Sequence, residues 1–458
     1  MHVHILGIAG TFMGGVAAIA KAAGHRVTGS DRGIYPPMSE QLAALGIGLM
    51  QGYDAAQLEP RPDIVVVGNA LSRGVPVVEA MLDLGLPYVS GPQWLAENVL
   101  HGRHVLAVAG THGKTTTTSM LAWILESAGL APGFLIGGLA ANFAASARLG
   151  EAPYFVIEAD EYDTAFFDKR AKFVHYRPRT AVLGNLEYDH ADIYPDVAAI
   201  RWQFHQLLRC VPAAGRVIVN GADANLAATL ADGCWTPVER FALPPAAADW
   251  TAEITPGTAQ RRFEVIAAGR SAGWVEWSLI GEHNVMNALA ALAAAAQAGV
   301  APAQAVRALA AFRGVRRRME VRGVAAGVTV YDDFAHHPTA IRTTLGGLRA
   351  AVGAARIVAV LEPRSNTMKL GVHRKTLAAS LGGADECWFH APADLGWDLQ
   401  GAVGSLGARA HCVATVESLA AQLAATLHAG DHVLVMSNGS FGGLHGKLLD
   451  ALRAREPA

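Results

Sequence analysis

Seven consecutive residues, Gly110-Thr-His-Gly-Lys-Thr-Thr116, carry the chemistry most readily read from this chain. Glycines let successive backbone N–H groups converge on phosphate oxygens, and a helix N-terminus behind them adds partial positive charge. Lys114 can neutralise β- and γ-phosphates, and the Thr115 hydroxyl is placed to ligate Mg²⁺. The commoner loop of this kind has a further glycine five residues before Gly113, where Val108 stands here, so this one is compressed. An ordinary glycine turn with a surface lysine is the alternative.

Two other groups suit the same chemistry. The run Pro153-Tyr-Phe-Val-Ile157 ends in Glu158-Ala-Asp-Glu-Tyr-Asp163. A carboxylate at the tip of a strand parallel to the loop's own is where a nucleotide-bound Mg²⁺ finds a protein ligand, and Glu158 is the residue placed there. For Asp160, Glu161 and Asp163 a solvated acidic loop is the competing reading. Asp189 and His190 follow the next apolar run, Thr180–Leu183, on a strand-to-helix loop that brings His190 to the same edge.

The elements that must hold these groups are legible as alternating apolar runs. Val105–Ala109 is the strand before the loop, and Met120, Leu121, Ile124 and Leu125 give the helical pattern after it. Upstream, strand His2–Leu6, the turn Gly7-Ile-Ala-Gly-Thr-Phe-Met-Gly-Gly15, helix Val16–Ala23 and a strand ending in Ser30-Asp31 approach a dinucleotide-binding pattern. Such a turn suits any pyrophosphate, in a nicotinamide cofactor or a nucleotide sugar. Strand Asp63–Val67 leads into a second loop, Gly68-Asn-Ala-Leu-Ser-Arg-Gly74, and a boundary is expected near His101. Ile280-Gly-Glu-His-Asn284 opens a long helix; its imidazole and amide groups suit an adenine edge or a helix cap. Downstream, a basic hinge, Gly314-Val-Arg-Arg-Arg-Met-Glu320, precedes a strand with polar groups at its tip within Val328–Pro338 and strands Ile357–Leu361, Cys387–His390 and His432–Met436, so a further mostly parallel α/β unit follows.

Composition narrows the functional classes. With 458 residues, 52% hydrophobic and 17% charged, the chain is long enough for about three domains, and a net charge of -2 disfavours a nucleic-acid partner. Cys210, Cys234, Cys387 and Cys412 are far apart with no C-x-x-C, as in a cytoplasmic protein with reduced thiols. The apolar start, His2–Ala23, lacks a basic leader, and Ala288–Val300 reads as a packed soluble helix, so no membrane partner is expected.

Taken together, the 110–116 loop, Glu158–Asp163, Asp189-His190, Gly281-Glu-His-Asn284, Arg317-Arg-Met-Glu320 and Asp332-Asp-Phe-Ala-His-His-Pro338 resemble the Mur ligases, ATP-dependent amide-forming enzymes of bacterial peptidoglycan assembly. The resemblance implies a three-domain α/β architecture: a Rossmann-like domain over 1–100 for UDP-N-acetylmuramate, a P-loop ATPase domain over 101–313, and a Rossmann-like domain over 314–458 that admits the amine and closes. It assigns ATP to Gly110, Thr111, His112, Gly113, Lys114, Thr115, Thr116, His283, Asn284, Arg317 or Arg318, Asp332 and His336. Mg²⁺ would fall to Thr115, Glu158 and His190, with Lys114, Glu158 and His190 as the catalytic set. The sugar nucleotide would meet Gly7, Gly10, Thr11, Met13, Gly14, Ser30, Asp31, Asn69 and Ser72.

Within the family, two branches act directly on UDP-N-acetylmuramate, one adding L-alanine and one adding the murein tripeptide L-Ala-γ-D-Glu-meso-diaminopimelate during peptidoglycan recycling. Glu362–Gly371 and Ser437–Gly446 resemble the second branch, with Arg364, Ser365, Asn366 and Thr367 as candidates to grip the tripeptide's carboxylates. A carbamylated lysine found in other members has no counterpart, because no lysine lies between Lys172 and Lys369. That leaves the ligands of a second metal open, as it does the oligomeric state and the base, for which His337 is a candidate. Rival readings are an NAD-dependent oxidoreductase built on the first glycine turn, and a nucleotide-gated binding module without chemistry.

Overall fold

Three sheets organise the chain, and each positions one side of the site. The computed structural model describes residues 1–34, 38–151, 153–392 and 394–455. The first sheet is parallel throughout, in the order Gly48–Gln51, Arg26–Asp31, His2–Leu6, Ile64–Val67, Tyr88–Ser90. Strand order reverses beside His2–Leu6, and the Gly7–Gly10 turn leaves from that switch point, where open α/β sheets collect ligands.

The second sheet has ten strands, with His104–Ala109 between Tyr154–Ala159 and Thr180–Leu183. Val108 pairs with Glu158 and Ala109 with Leu183, so the loop after Ala109, the acidic loop and the 184–190 loop emerge side by side. Leu106, Val108, Val182 and Ile218 pack with helices Lys114–Ser127 and Glu282–Gln297. The second helix buries a row of alanines, 290, 291 and 293–295, whose short side chains allow close helix approach. Val105, Ala107 and Ala109 point the other way, into one apolar cluster shared with Val16, Ala20 and Trp94 of the first unit. Gly15 completes that seam, since a Cβ there would press on Ala147 and Leu135.

The third sheet runs Glu320–Ala325, Val328–Asp333, His432–Met436, Ile357–Leu361, Glu386–His390, Ala410–Val413, parallel except for its first, edge strand. Its two faces have their own cores. The helix after the 110–113 loop begins at Lys114, and its polar first turn is buried, with Thr118 and Ser119 donating back to the carbonyls of Lys114 and Thr115. One sequence expectation needs correction: the first helix begins at Thr11, not Val16. All four cysteines are free thiols, and among the described residues no helix is long and apolar enough to cross a membrane.

Candidate active site

The 110–113 loop is shaped by its neighbour strand's loop as much as by its own glycines. Asn185 accepts from the N–H of Thr111 through its carbonyl (3.1 Å) and from the N–H of His112 through Oδ1 (2.8 Å), while its amide donates to the His112 carbonyl (3.1 Å). The Glu187 N–H donates to Thr111 Oγ1 (2.9 Å), and His112 Nε2 lies 2.9 Å from Glu187 Oε2. Gly113 is left-handed at φ 78°, and a Cβ there would overlap Asn287 Oδ1, which accepts from Thr117. Sequence reading did not single out Asn185, Glu187 or Asn287, because their role exists only once strands pair.

Lys114 Nζ donates to the Gly110 carbonyl (2.6 Å) and to Glu161 Oε2 (2.8 Å), and His190 Nε2 lies 3.0 Å from the other Glu161 oxygen. Burial disfavours the charge on Lys114, but Glu161 and then Asp160 overcome it, so its pKa is raised. Glu161 is held below the usual carboxylate range: its burial is outweighed by Lys114 and His190. For His190, too, burial is outweighed, by Glu161 and Asp189, and its pKa is raised. His190 also sits in the left-handed region at φ 55°, a backbone state that recurs at functional sites. Glu161, read from sequence with the solvated acids, is thus the buried hub joining lysine and imidazole.

Glu158 makes a separate pair. Its Oε1 accepts from Thr115 Oγ1 (3.0 Å) and its Oε2 from the Gly137 N–H (2.6 Å). Burial raises its pKa against the pull of Lys114. The structure therefore brings Thr115 and Glu158 together, while His190 turns to Glu161, with Asp160 completing an oxygen and nitrogen cluster there.

The third unit meets this edge at several points. Arg318 Nη2 is 3.5 Å from Thr115 Oγ1, and its guanidinium lies 4.8 Å from the Phe334 ring centroid. Arg317 turns away, donating to the carbonyls of Ser437 (2.7 Å) and Gly439 (2.5 Å). Asp332 stays within its own unit, near Arg317, Arg322 and His445, whereas the adjacent Asp333 faces Arg318. His336 Nε2 lies 3.9 Å from Asp189, and Thr367 Oγ1 donates to Asp189 Oδ1 (2.7 Å). Asn366 reaches Asp192 (2.7 Å), Ser365 caps a short helix by accepting from the Met368 N–H, and Arg364 is exposed beside Gly439. Thr116 and Asn284 are buried; the Asn284 amide donates to Ile280 O (2.8 Å), and buried His283 Nδ1 has no partner among the described residues.

At the first sheet, Gly7 (φ 81°) makes the turn and Gly10 precedes the helix that carries Thr11, Met13 and Gly14. Thr11, Asn69 and Ser72 are exposed along this edge, while Met13 is buried against Gly68 and Gly91. Ser30 is buried, its hydroxyl 3.0 Å from His4 Nε2, and Asp31 accepts from the N–H groups of Ala9 and Gly33. Lys172 lies at the junction of the two units, 3.8 Å from Asp160 and 5.4 Å from the Phe12 ring centroid, a cation that sequence reading overlooked.

Burial, aided by Arg318, holds His283 down to about 4, and burial against the pull of Asp189 does the same for His336. Free imidazole titrates near 6.5, so between that value and about 4 the unfolded chain binds the extra protons and stability falls as pH is lowered. Each such histidine contributes about 1.4 kcal/mol per pH unit across the window. Urea midpoints measured stepwise from neutral to mildly acidic pH should fall accordingly, and His336→Gln should flatten the slope by one imidazole's share.

Residues 108–295 match the family model for the Mur ligase middle domain, 2–103 that for the Mur ligase family catalytic domain, and 317–439 that for the Mur ligase glutamate ligase domain. The UDP-N-acetylmuramate--L-alanyl-gamma-D-glutamyl-meso-2,6-diaminoheptandioate ligase of Escherichia coli is 56% identical over 459 residues, covering 100% of both chains. A murein peptide ligase of Psychrobacter arcticus is 48% identical with a TM-score of 0.78, and a UDP-N-acetylmuramate-alanine ligase of Thermotoga maritima, at 23%, shares the fold with a TM-score of 0.82; each alignment covers 100% of both chains. The chain belongs to the Mur ligase family.

Proposed function

We propose that the protein joins UDP-N-acetylmuramate to L-alanyl-γ-D-glutamyl-meso-diaminopimelate at the expense of ATP. The observation that carries this reading is the full-length 56% identity to a ligase of that name, on a chain whose phosphate loop, Glu158 and Lys114 share one buried corner. The γ-phosphoryl group passes to the sugar's lactyl carboxylate, giving an acyl phosphate and ADP; the alanyl amine then attacks the carbonyl, and phosphate leaves as the amide forms. Both partners of the first step are anions, so Lys114, the loop N–H groups and Arg318 must offset their repulsion.

The residues present fit Mg²⁺. The Thr115 hydroxyl and half-buried Glu158 carboxylate are adjacent oxygen donors of the kind this ion takes, and a carboxylate that desolvation pushes toward protonation is one a cation would return to its ionised form. When bound, the ion would neutralise charge on the transferring group. Glu161 and His190, linked to each other and to Lys114, would hold the second side of the same centre. The Gly7–Gly10 edge would take the sugar nucleotide, and the 364–367 segment, which touches the Asp189–Asp192 loop, the amine substrate.

Acyl phosphates hydrolyse, so contacts such as Thr367–Asp189 and Arg318–Thr115 would also exclude water before the amine arrives. An ADP-release assay with UDP-N-acetylmuramate and each amine tests the reading. Turnover is expected with the tripeptide, whereas turnover with free L-alanine and none with tripeptide would transfer the chain to the alanine-adding branch.

A further inference from the structure

Where the second and third units meet, two imidazoles face one carboxylate and a third packs against one of them, outside the pair just described. His112 Nε2 is 2.9 Å and His337 Nδ1 3.4 Å from Glu187 Oε2. The His112 and His337 ring centroids are 4.5 Å apart, and His373 stands 4.4 Å from His337 in an edge-on contact. His337 Nδ1 already accepts from the Thr339 N–H, so it cannot also donate to Glu187: an imidazole lone pair and a carboxylate oxygen face each other with no proton between them. His373 Nε2 is buried with no hydrogen-bond partner among the described residues. His112 and the Thr339 hydroxyl hydrogen-bond to Glu187, so what is left unfavourable is the His337 Nδ1–Glu187 contact and the unpartnered His373 Nε2, and a cation is the group that would satisfy both.

We infer that His112, Glu187, His337 and His373 form a binding site for a borderline divalent transition metal, such as Zn²⁺ or Co²⁺, that straddles the phosphate loop and the third unit. Imidazole nitrogens with one carboxylate oxygen suit these ions, whereas Mg²⁺ prefers oxygen donors alone. Ligand atoms of His112, Glu187 and His337 already lie within 4.8 Å of one another, and His373, packed edge-on against His337, is the side chain that turns in to complete the set. The Thr339 cap bond, long at 3.2 Å, is the interaction the metal displaces. Burial keeps both His337 and His373 below the usual imidazole range, which supplies the neutral form that metals bind. Two ligands come from the second unit and two from the third, so an ion here ties the phosphate loop to the segment that follows Arg364–Thr367.

Equilibrium titration of the full-length protein with Zn²⁺ against a chelating dye tests this independently of catalysis. One ion per chain is expected; His373→Ala should weaken it at least about tenfold, and His190→Ala, at the Asp160–Glu161 cluster, should leave it unchanged. Co²⁺ on the wild type should give the intense visible absorption of a four-coordinate site, lost in His373→Ala. Zn²⁺ affinity indifferent to His373→Ala, affinity lost instead with His190→Ala, or only the weak spectrum of six-coordinate Co²⁺ would overturn the assignment.

Discussion

Lys114→Ala should lower kcat/KM for substrate-dependent ADP release by about three orders of magnitude, the scale set by losing a preorganised charge at a phosphoryl group. The same change should also reduce folding stability by about 3 kcal/mol, because Glu161 remains as a buried carboxylate whose main cation is gone. The two effects separate in a double variant. Adding Glu161→Gln to Lys114→Ala removes the uncompensated charge, so denaturant unfolding should recover most of the lost stability while turnover stays abolished. Near-normal ADP release by the single variant would remove Lys114 from the chemistry; a double variant no more stable than the single would show that the Lys114–Glu161 pair is not what holds this corner.

Arg318→Ala should produce the second largest loss, about a hundredfold in kcat/KM, from removing one donor aimed at developing charge. Arg318 is half-buried, with Asp333 and Glu158 offsetting part of the cost of desolvating its charge. Its guanidinium lies over Phe334 while one nitrogen points at Thr115, a geometry that a planar fork satisfies and an ammonium does not. Arg318→Lys should therefore recover only a small part of the activity. Arg317→Ala, by contrast, removes donors to Ser437 and Gly439, so its main effect should fall on the stability of the third unit. Equal kinetic losses for the two arginines, measured with ATP varied, would contradict this division of labour.

Much of the fold was readable because its central strands are buried on both faces. Thr180–Leu183, Ile357–Leu361 and His432–Met436 are short apolar runs bounded by loops, and each is a strand over those same residues. Val238–Phe241 and the edge strand Glu320–Ala325 mix charged and apolar residues and are set by pairing partners, so no local pattern announced them. The same distinction runs through the candidate site. Lys114, Thr115 and Glu158 were legible because a local motif or a strand end fixes them. Glu161 was not: its carboxylate lies beyond the strand, and only the folded loop turns it back to Lys114 and His190. Asn185 and Asp333 are invisible for a like reason, since both act through the backbone N–H groups they accept from.

The apolar cluster common to the first two units has a consequence for how substrates are brought together. Residues such as Trp94, Leu135 and Phe155 interlock across that seam, so swinging one unit against the other would expose close-packed side chains, a cost far above thermal energy. The third unit meets its neighbours through a smaller apolar patch, Ala259 and Ile280 against Ala335, Ile341 and Leu345, and through polar contacts from Arg318, Thr339, Asn366 and Thr367, which water can replace. On the proposed assignment, acceptor and phosphoryl donor would share a fixed chassis, and motion would be left to the part that delivers the amine. Such a division would let a lineage change the length of the peptide it couples by altering only the last third of the chain, leaving the alignment of the activating step untouched.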